Sequence, residues 1–192
     1  MRFGGLLVLV LLLQSLGGQV LLKAPFGRTW GEEPTALLQW AGELKMDVFV
    51  ELPADRPGLE IFTFKKKGGI PGHTADTLEA RYHNGKLYEV TVNYEFPGRT
   101  PDEVRTSFHK MKDALEKRHG KFRLNGRGQN ADDGFLTREE SYHFEPSPGV
   151  FLLMAYSSVE DTLRKKGQGS YSLLYHNGRL APPRPGVLPK KE

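Results

Sequence analysis

Thr77-Leu78-Glu79-Ala80-Arg81-Tyr82-His83-Asn84-Gly85-Lys86-Leu87-Tyr88-Glu89-Val90-Thr91-Val92-Asn93-Tyr94-Glu95-Phe96 consists of two alternating runs that meet at Asn84-Gly85. An Asn-Gly pair between alternating apolar residues is the strongest short-range hairpin signal. Alternation puts Tyr88, Val90, Val92, Tyr94 and Phe96 on one face of the second strand, and Leu78, Ala80 and Tyr82 on one face of the first. A two-residue loop pairs His83 with Lys86 and then sets Tyr88 against Arg81 and Val90 against Glu79. A three-residue loop, His83 to Gly85, pairs Ala80 with Tyr88 and Leu78 with Val90, so both apolar faces coincide. Because a slip of one residue flips every side chain, burial predicts the three-residue loop, with Gly85 in the left-handed region. Tyr175-His176-Asn177-Gly178-Arg179-Leu180 is a shortened echo of the same turn.

On the N-terminal side, Pro34 opens a short helix, roughly Glu33 to Leu44, with Leu37, Trp40, Ala41 and Leu44 as its buried stripe. Met46 to Leu52 and Leu59 to Phe64 read as strands, and Lys65 to His73 reads as an exposed, mobile loop. On the C-terminal side, Thr100, Pro101 and Glu103 form a capping box that starts a second helix. Its stripe is Val104, Phe108, Met111 and Leu115, and Gly120 ends it. Lys121 to Gly134, polar and glycine-rich, reads as a long loop or ragged edge. Glu139 to Glu145 and Val150 to Tyr156 form a hairpin whose second strand, apolar on both faces, belongs in the middle of a sheet. Ser157 to Asp161 could cap a short helix ending at Gly167, and Tyr171 to Tyr175 is the last strand. The expected fold is α+β, with about seven antiparallel strands and two main helices packed on one side. Residues 26–180 make one domain, and the echoed turn raises two α-β-meander halves, 26–97 and 98–180. A Pro-rich tail, 181–192, is expected to be unstructured.

The first eighteen residues have the layout of a secretory signal peptide. Arg2 is followed by the unbroken apolar run Leu6 to Leu13 and then by small residues that offer cleavage after Gly17, with Ser15 at −3. The run from Phe3 to Leu13 would span roughly 16 Å at 1.5 Å per residue, about half a bilayer core. Reaching the full thickness requires Gln14, Ser15 and Gln19, so a cleaved signal is preferred to an anchor. The absence of cysteine excludes disulfides, thiolate chemistry and a lipoprotein anchor, and an exported domain without disulfides suits a bacterial periplasmic or surface protein. Lys+Arg (27) and Asp+Glu (23) nearly balance, which leaves no case from composition for specific nucleic-acid binding. Membrane contact is expected only through the N-terminal segment, if it stays uncleaved.

No catalytic, cofactor or metal motif emerges. The six histidines (73, 83, 109, 119, 143 and 176) form no H-x-x-x-H or H-x-H pair. Glu139 and His143 share a strand face but lie about 13 Å apart. His83 and His176 each precede an Asn-Gly turn, where polar residues are expected. Lys65-Lys66-Lys67-Gly68-Gly69 lacks the order of a phosphate loop, and no G-x-S-x-G elbow occurs. The one charge concentration is Arg105, Lys110, Lys112, Lys117, Arg118, Lys121, Arg123 and Arg127, against Asp113 and Glu116. It is a candidate patch for an anionic polymer or another envelope protein, or else a solvated helix face with cations matched to the dipole.

Phe26-Gly27-x-x-Trp30-Gly31 before a helix, Asn84-Gly85-Lys86-Leu87-Tyr88-x-Val90, and a capped helix ending His119-Gly120-Lys121-Phe122 resemble a diffuse group of exported bacterial proteins. Their helix-then-sheet modules are similar to β-lactamase-inhibitor-protein-like folds and to small outer-membrane-assembly lipoproteins, although this chain lacks the lipoprotein cysteine. The resemblance implies a binding or assembly role and supplies no catalytic residues. The expectation is an exported, non-enzymatic binding or envelope-associated protein. The alternative is an exported hydrolase with a dispersed active site.

Overall fold

The computed structural model describes residues 22–70 and 74–183. The signal segment, His73 and most of the Pro-rich tail lie outside the described residues. Ten elements follow in order: α1 (Pro34–Glu43), β1 (Asp47–Glu51), β2 (Leu59–Lys65), β3 (Thr77–His83), β4 (Lys86–Glu95), α2 (Pro101–His119), β5 (Arg123–Asp132), β6 (Phe135–Ser147), β7 (Val150–Asp161) and β8 (Lys166–Asn177). The strands form one antiparallel sheet in the order β1-β2-β3-β4-β8-β7-β6-β5. Each helix therefore precedes a four-stranded meander, and the two meanders join where β4 pairs with β8.

The sheet buries one face. Phe62 and Phe64 of β2, Leu78, Ala80 and Tyr82 of β3, and Val90, Val92 and Tyr94 of β4 share one core with Leu152, Met154 and Tyr156 of β7 and Tyr171, Leu173 and Tyr175 of β8. Leu37 and Ala41 of α1 and Val104, Phe108 and Leu115 of α2 belong to the same core, so both helices cover that face. Burial of this size is the main stabilising term of the fold. At the join, Val90 faces Tyr175, Val92 faces Leu173 and Tyr94 stacks on Tyr171 at 4.7 Å. The capping box forms as the sequence dictates: the Thr100 hydroxyl accepts from Glu103 N–H, and Glu103 accepts from Thr100 N–H. The start of α2 is pinned to β7 by the Tyr156 hydroxyl, which donates to the Pro101 carbonyl at 2.9 Å. It sits close over β8 because Gly167 and Gly169 carry no side chain there: a Cβ on Gly167 would stand 2.9 Å from Pro101 Cγ, and one on Gly169 3.3 Å from Val104 Cβ.

The central hairpin corrects the expected register. Asn84 (φ 50°) and Gly85 (φ 72°) are both left-handed, and His83 pairs with Lys86, so the turn has two residues rather than three. The conflict between faces is resolved by a β-bulge between Arg81 and Tyr82: Tyr82 pairs with Leu87, while Arg81 pairs with Glu89 and Ala80 with Val90. Tyr88 is the extra residue. It leaves the core face, and Leu87 takes the place opposite Tyr82.

Other expectations are corrected as well. The described residues form eight strands, close to the expected seven; Lys121 to Gly134 is an edge rather than a loop, with β5 pairing with β6 from Arg123 to Asp132. Ser157 to Asp161 forms no helix. It continues β7, and Asp161 pairs with Lys166 of β8. In the loop after β2, Ile70 is buried, and its N–H donates to the Ala75 carbonyl. The two Asn-Gly turns do not hold matching places in the two meanders. Asn84-Gly85 joins β3 to β4, whereas Asn177-Gly178 follows the last strand; the counterpart of the first turn lies between Asp161 and Lys166.

Candidate functional site

With the core on one side, the opposite face of the sheet carries no helix among the described residues. Glu89, Thr91 and Asn93 of β4, Ser172, Leu174 and His176 of β8, Phe151, Leu153 and Ala155 of β7, and Ser141 and His143 of β6 lie on it by strand alternation. A shallow depression of about 640 Å³ lies over its middle, floored by Ser141, Ala155, Ser157, Ser170 and Ser172.

A larger cleft, about 880 Å³, lies at the end of this face, between Asp55 to Pro57 and His83 on one side and Pro148, Gly149 and Gly178 to Pro183 on the other. The antiparallel pairing of β4 with β8 sets Glu89 opposite His176, and both line the cleft. Turn-to-turn clasps build its walls. Asn84 N–H donates to the Gly58 carbonyl at 2.8 Å, and a Cβ on Gly58 (φ 79°) would collide with the Asn84 side chain. Gly178 N–H donates to the Gly149 carbonyl at 2.7 Å, and a Cβ on Gly178 would come within 2.9 Å of that oxygen.

The polar centre of the cleft is a buried carboxylate under an imidazole. His176 Nδ1 lies 2.7 Å from Glu89 Oε2, and Arg81 Nη1 lies 3.3 Å from Glu89 Oε1. A carboxylate only accepts, so Nδ1 carries the proton. Phe151 stacks on the His176 ring at 4.7 Å, and Tyr88 meets it edge-on at 5.9 Å. Burial, then the adjacent Glu89 carboxylate, pushes the Tyr88 phenol above its ordinary pKa, with Arg81 opposing. Burial alone would lower Arg81, but Glu79 at 2.7 Å and then Glu89 raise it, so this guanidinium stays charged. Leu59, Pro57, Pro148, Pro182 and Pro183 add apolar wall, and Asp55, Arg56, His83 and Arg179 are the other charged or titratable side chains of the lining. The described lining holds no Ser, Thr or Cys that could serve as a hydroxyl or thiol nucleophile.

A second buried charge cluster sits on the helix side. Glu140 of β6 has 2% of its side chain exposed. It accepts from Arg105 Nη2 (2.8 Å), Arg127 Nη2 (2.6 Å) and the Tyr142 hydroxyl (2.5 Å), with His109 Nε2 at 3.6 Å. Burial opposes its ionisation, but Tyr142, Arg127, Arg105 and His109 together hold the carboxyl at about 2, far below a usual glutamate. The cluster ties α2, β5 and β6 together around one satisfied carboxylate, a structural use of charge.

The basic segment read from the sequence is divided by the fold. Arg105 and Arg127 meet at Glu140, and Lys112 (3.2 Å) and Lys121 (3.3 Å) meet at Glu116. Lys110, Lys117 and Arg118 lie exposed on α2 and Arg123 lies exposed on β5, without ion-pair partners among the described residues. Sequence reading set His83 and His176 aside as turn residues, yet both line the cleft. Their shared signal was present in the sequence: each precedes an Asn-Gly turn. Nothing local, however, connected either one to Glu89. No group of three or more His, Asp or Glu among the described residues is placed to hold a metal ion. The chain matches no protein-family model, no curated protein and no solved structure.

Proposed function

We propose that this is an exported, non-enzymatic binding protein of the bacterial envelope, and that it presents the helix-free face of its sheet to a partner. One observation carries the reading: among the described residues a single core with both helices lies on one side of eight strands, and the other side carries no helix and is cleft at one end. The resemblance to helix-plus-sheet inhibitor modules agrees with it. The basic segment is the weaker docking surface, because half of its eight cations already have internal acidic partners.

The test is affinity capture from a periplasmic extract with three baits: the unaltered chain, Ala155→Arg on the open face, and Lys110→Glu/Lys117→Glu on the outer side of α2. A partner retained by the helix variant and lost from Ala155→Arg supports the reading. A partner lost only from the helix variant, or retained by all three, overturns it.

A hydrolase is the second reading, favoured by the Glu89–His176 pair, since a carboxylate fixing Nδ1–H leaves Nε2 as a base. It predicts ester or amide turnover that His176→Gln abolishes. Equal rates in both proteins would dismiss it.

A further inference from the structure

We infer that the cleft around Glu89, His176 and Phe151 binds a single-chain amphiphile with an anionic head, such as a medium-chain alkyl carboxylate. The inference rests on the binding-protein reading and assigns that face a ligand class. Three observations lead to it.

The first is size and lining. A concavity of about 880 Å³ falls within the range of small-molecule pockets, roughly 300–1,000 Å³, and its walls are mainly apolar: Leu59, Phe151, Pro57, Pro148 and Pro182. Phe151 is fixed by its stack on His176, which Glu89 holds in turn, so the apolar wall is in place before a ligand arrives.

The second is the charge left facing the cleft. Glu89 is covered by His176 at 2.7 Å and Arg81 at 3.3 Å. Arg56 is opposed by Asp55 at 3.6 Å. Arg179 is exposed, lines the cleft and has no ion-pair partner among the described residues. Arg81 is shared between Glu89 and the nearer Glu79 at 2.7 Å, so the cation of the lining free to meet a ligand is Arg179, beside an apolar wall. That combination fits an alkyl chain ending in a carboxylate, and disfavours a cationic or doubly charged ligand.

The third is shape. The lining comes from separate turns clasped together by Asn84 to Gly58 and Gly178 to Gly149, so the site is a bounded recess rather than a flat patch. A bounded recess admits one free chain and is poorly suited to lying on a bilayer.

The experiment is isothermal titration of the purified chain with octanoate, decanoate and dodecanoate below their micellar concentrations. Dodecyltrimethylammonium and vesicles of phosphatidylglycerol are titrated alongside. The expected result is saturable 1:1 binding of dodecanoate that weakens about fourfold per methylene removed. Arg179→Glu, an exposed and structurally mild change, should weaken dodecanoate about tenfold and reverse its advantage over the quaternary ammonium ion. Phe151→Ser should weaken every chain length while leaving the charge preference intact. Four outcomes overturn the inference: no saturable binding, no dependence on chain length, no response to Arg179→Glu, or binding to vesicles without binding to the free carboxylate. A partner lost from Ala155→Arg in the capture experiment, together with no carboxylate binding, would remove the ligand class and leave the binding role standing.

Discussion

Replacing Glu140 by glutamine should destabilise the protein by an amount that depends on pH. Glu140 is almost fully buried and sits at about 2, against an ordinary 4.5. A carboxyl depressed on folding contributes stability that is complete above its unfolded pKa and fades as pH falls towards its folded one. The displacement corresponds to about 3 kcal/mol at pH 7 and about 1 kcal/mol at pH 3, with little left at pH 2. Glu140→Gln keeps the shape of the side chain, removes the charge, leaves one oxygen where Arg105, Arg127 and Tyr142 had two, and turns an NH2 donor towards a donor. Those guanidiniums are partly exposed and can rehydrate, so the loss should not exceed the roughly 3–5 kcal/mol typical of breaking a buried pair. The assay is urea unfolding of both proteins at pH 7, 4.5 and 3, with equal m-values as the check that compactness is unchanged. The midpoints should be furthest apart at pH 7 and converge on acidification. Equal stability at pH 7, or a gap that persists undiminished at pH 3, would refute the account of Glu140 as the anchor of α2, β5 and β6.

Four further outcomes are expected. Gly167→Ala would bring a Cβ to 2.6 Å from the Val159 carbonyl and 2.9 Å from Pro101 Cγ, and should cost about 1–3 kcal/mol in urea unfolding. Gly42→Ala, in helix α1 with nothing within 4 Å of the new methyl, should instead stabilise by about 0.5–1 kcal/mol. The Tyr82 hydroxyl is buried with no hydrogen-bond partner among the described residues, so Tyr82→Phe should keep or raise the melting temperature; a fall of several degrees would reveal a partner for the hydroxyl. Finally, β1 is an edge strand whose Phe49 (59% exposed) and neighbouring Leu52 (68%) face solvent, so Phe49→Lys should slow aggregation at high concentration in light scattering, with thermal stability little changed.

The open face could be anticipated from the sequence only in part. Alternation from Val90 to Tyr94 in β4 marks which residues point away from the core, and the apolar run Val150 to Tyr156 marks an interior strand; both agree with the structure. The cleft could not be anticipated, because His176 and Glu89 are 87 positions apart and become neighbours only through strand pairing at the join of the two meanders. Likewise, nothing in Arg105-x-x-x-His109 or in Arg127 shows that their shared partner is Glu140, on a different strand.

The sequence by itself determined the local pieces. The Thr100–Glu103 box, Pro101 and Gly120 bound α2, and Asn84-Gly85 places the hairpin with Gly85 left-handed, because capping and turn chemistry act over a few residues. Tertiary structure decided how those pieces agree. Alternation required the two apolar faces to coincide, and lengthening the turn was one way to achieve it. The fold keeps the two-residue turn that Asn-Gly favours and absorbs the odd residue at Tyr88 instead. The bulge turns Tyr88 out of the core towards Glu89 and His176 and gives Leu87 the place opposite Tyr82. Only the packing of the whole sheet can choose between two registers that satisfy the local pattern equally, since the free energy that separates them is the burial of side chains from strands far apart in the chain.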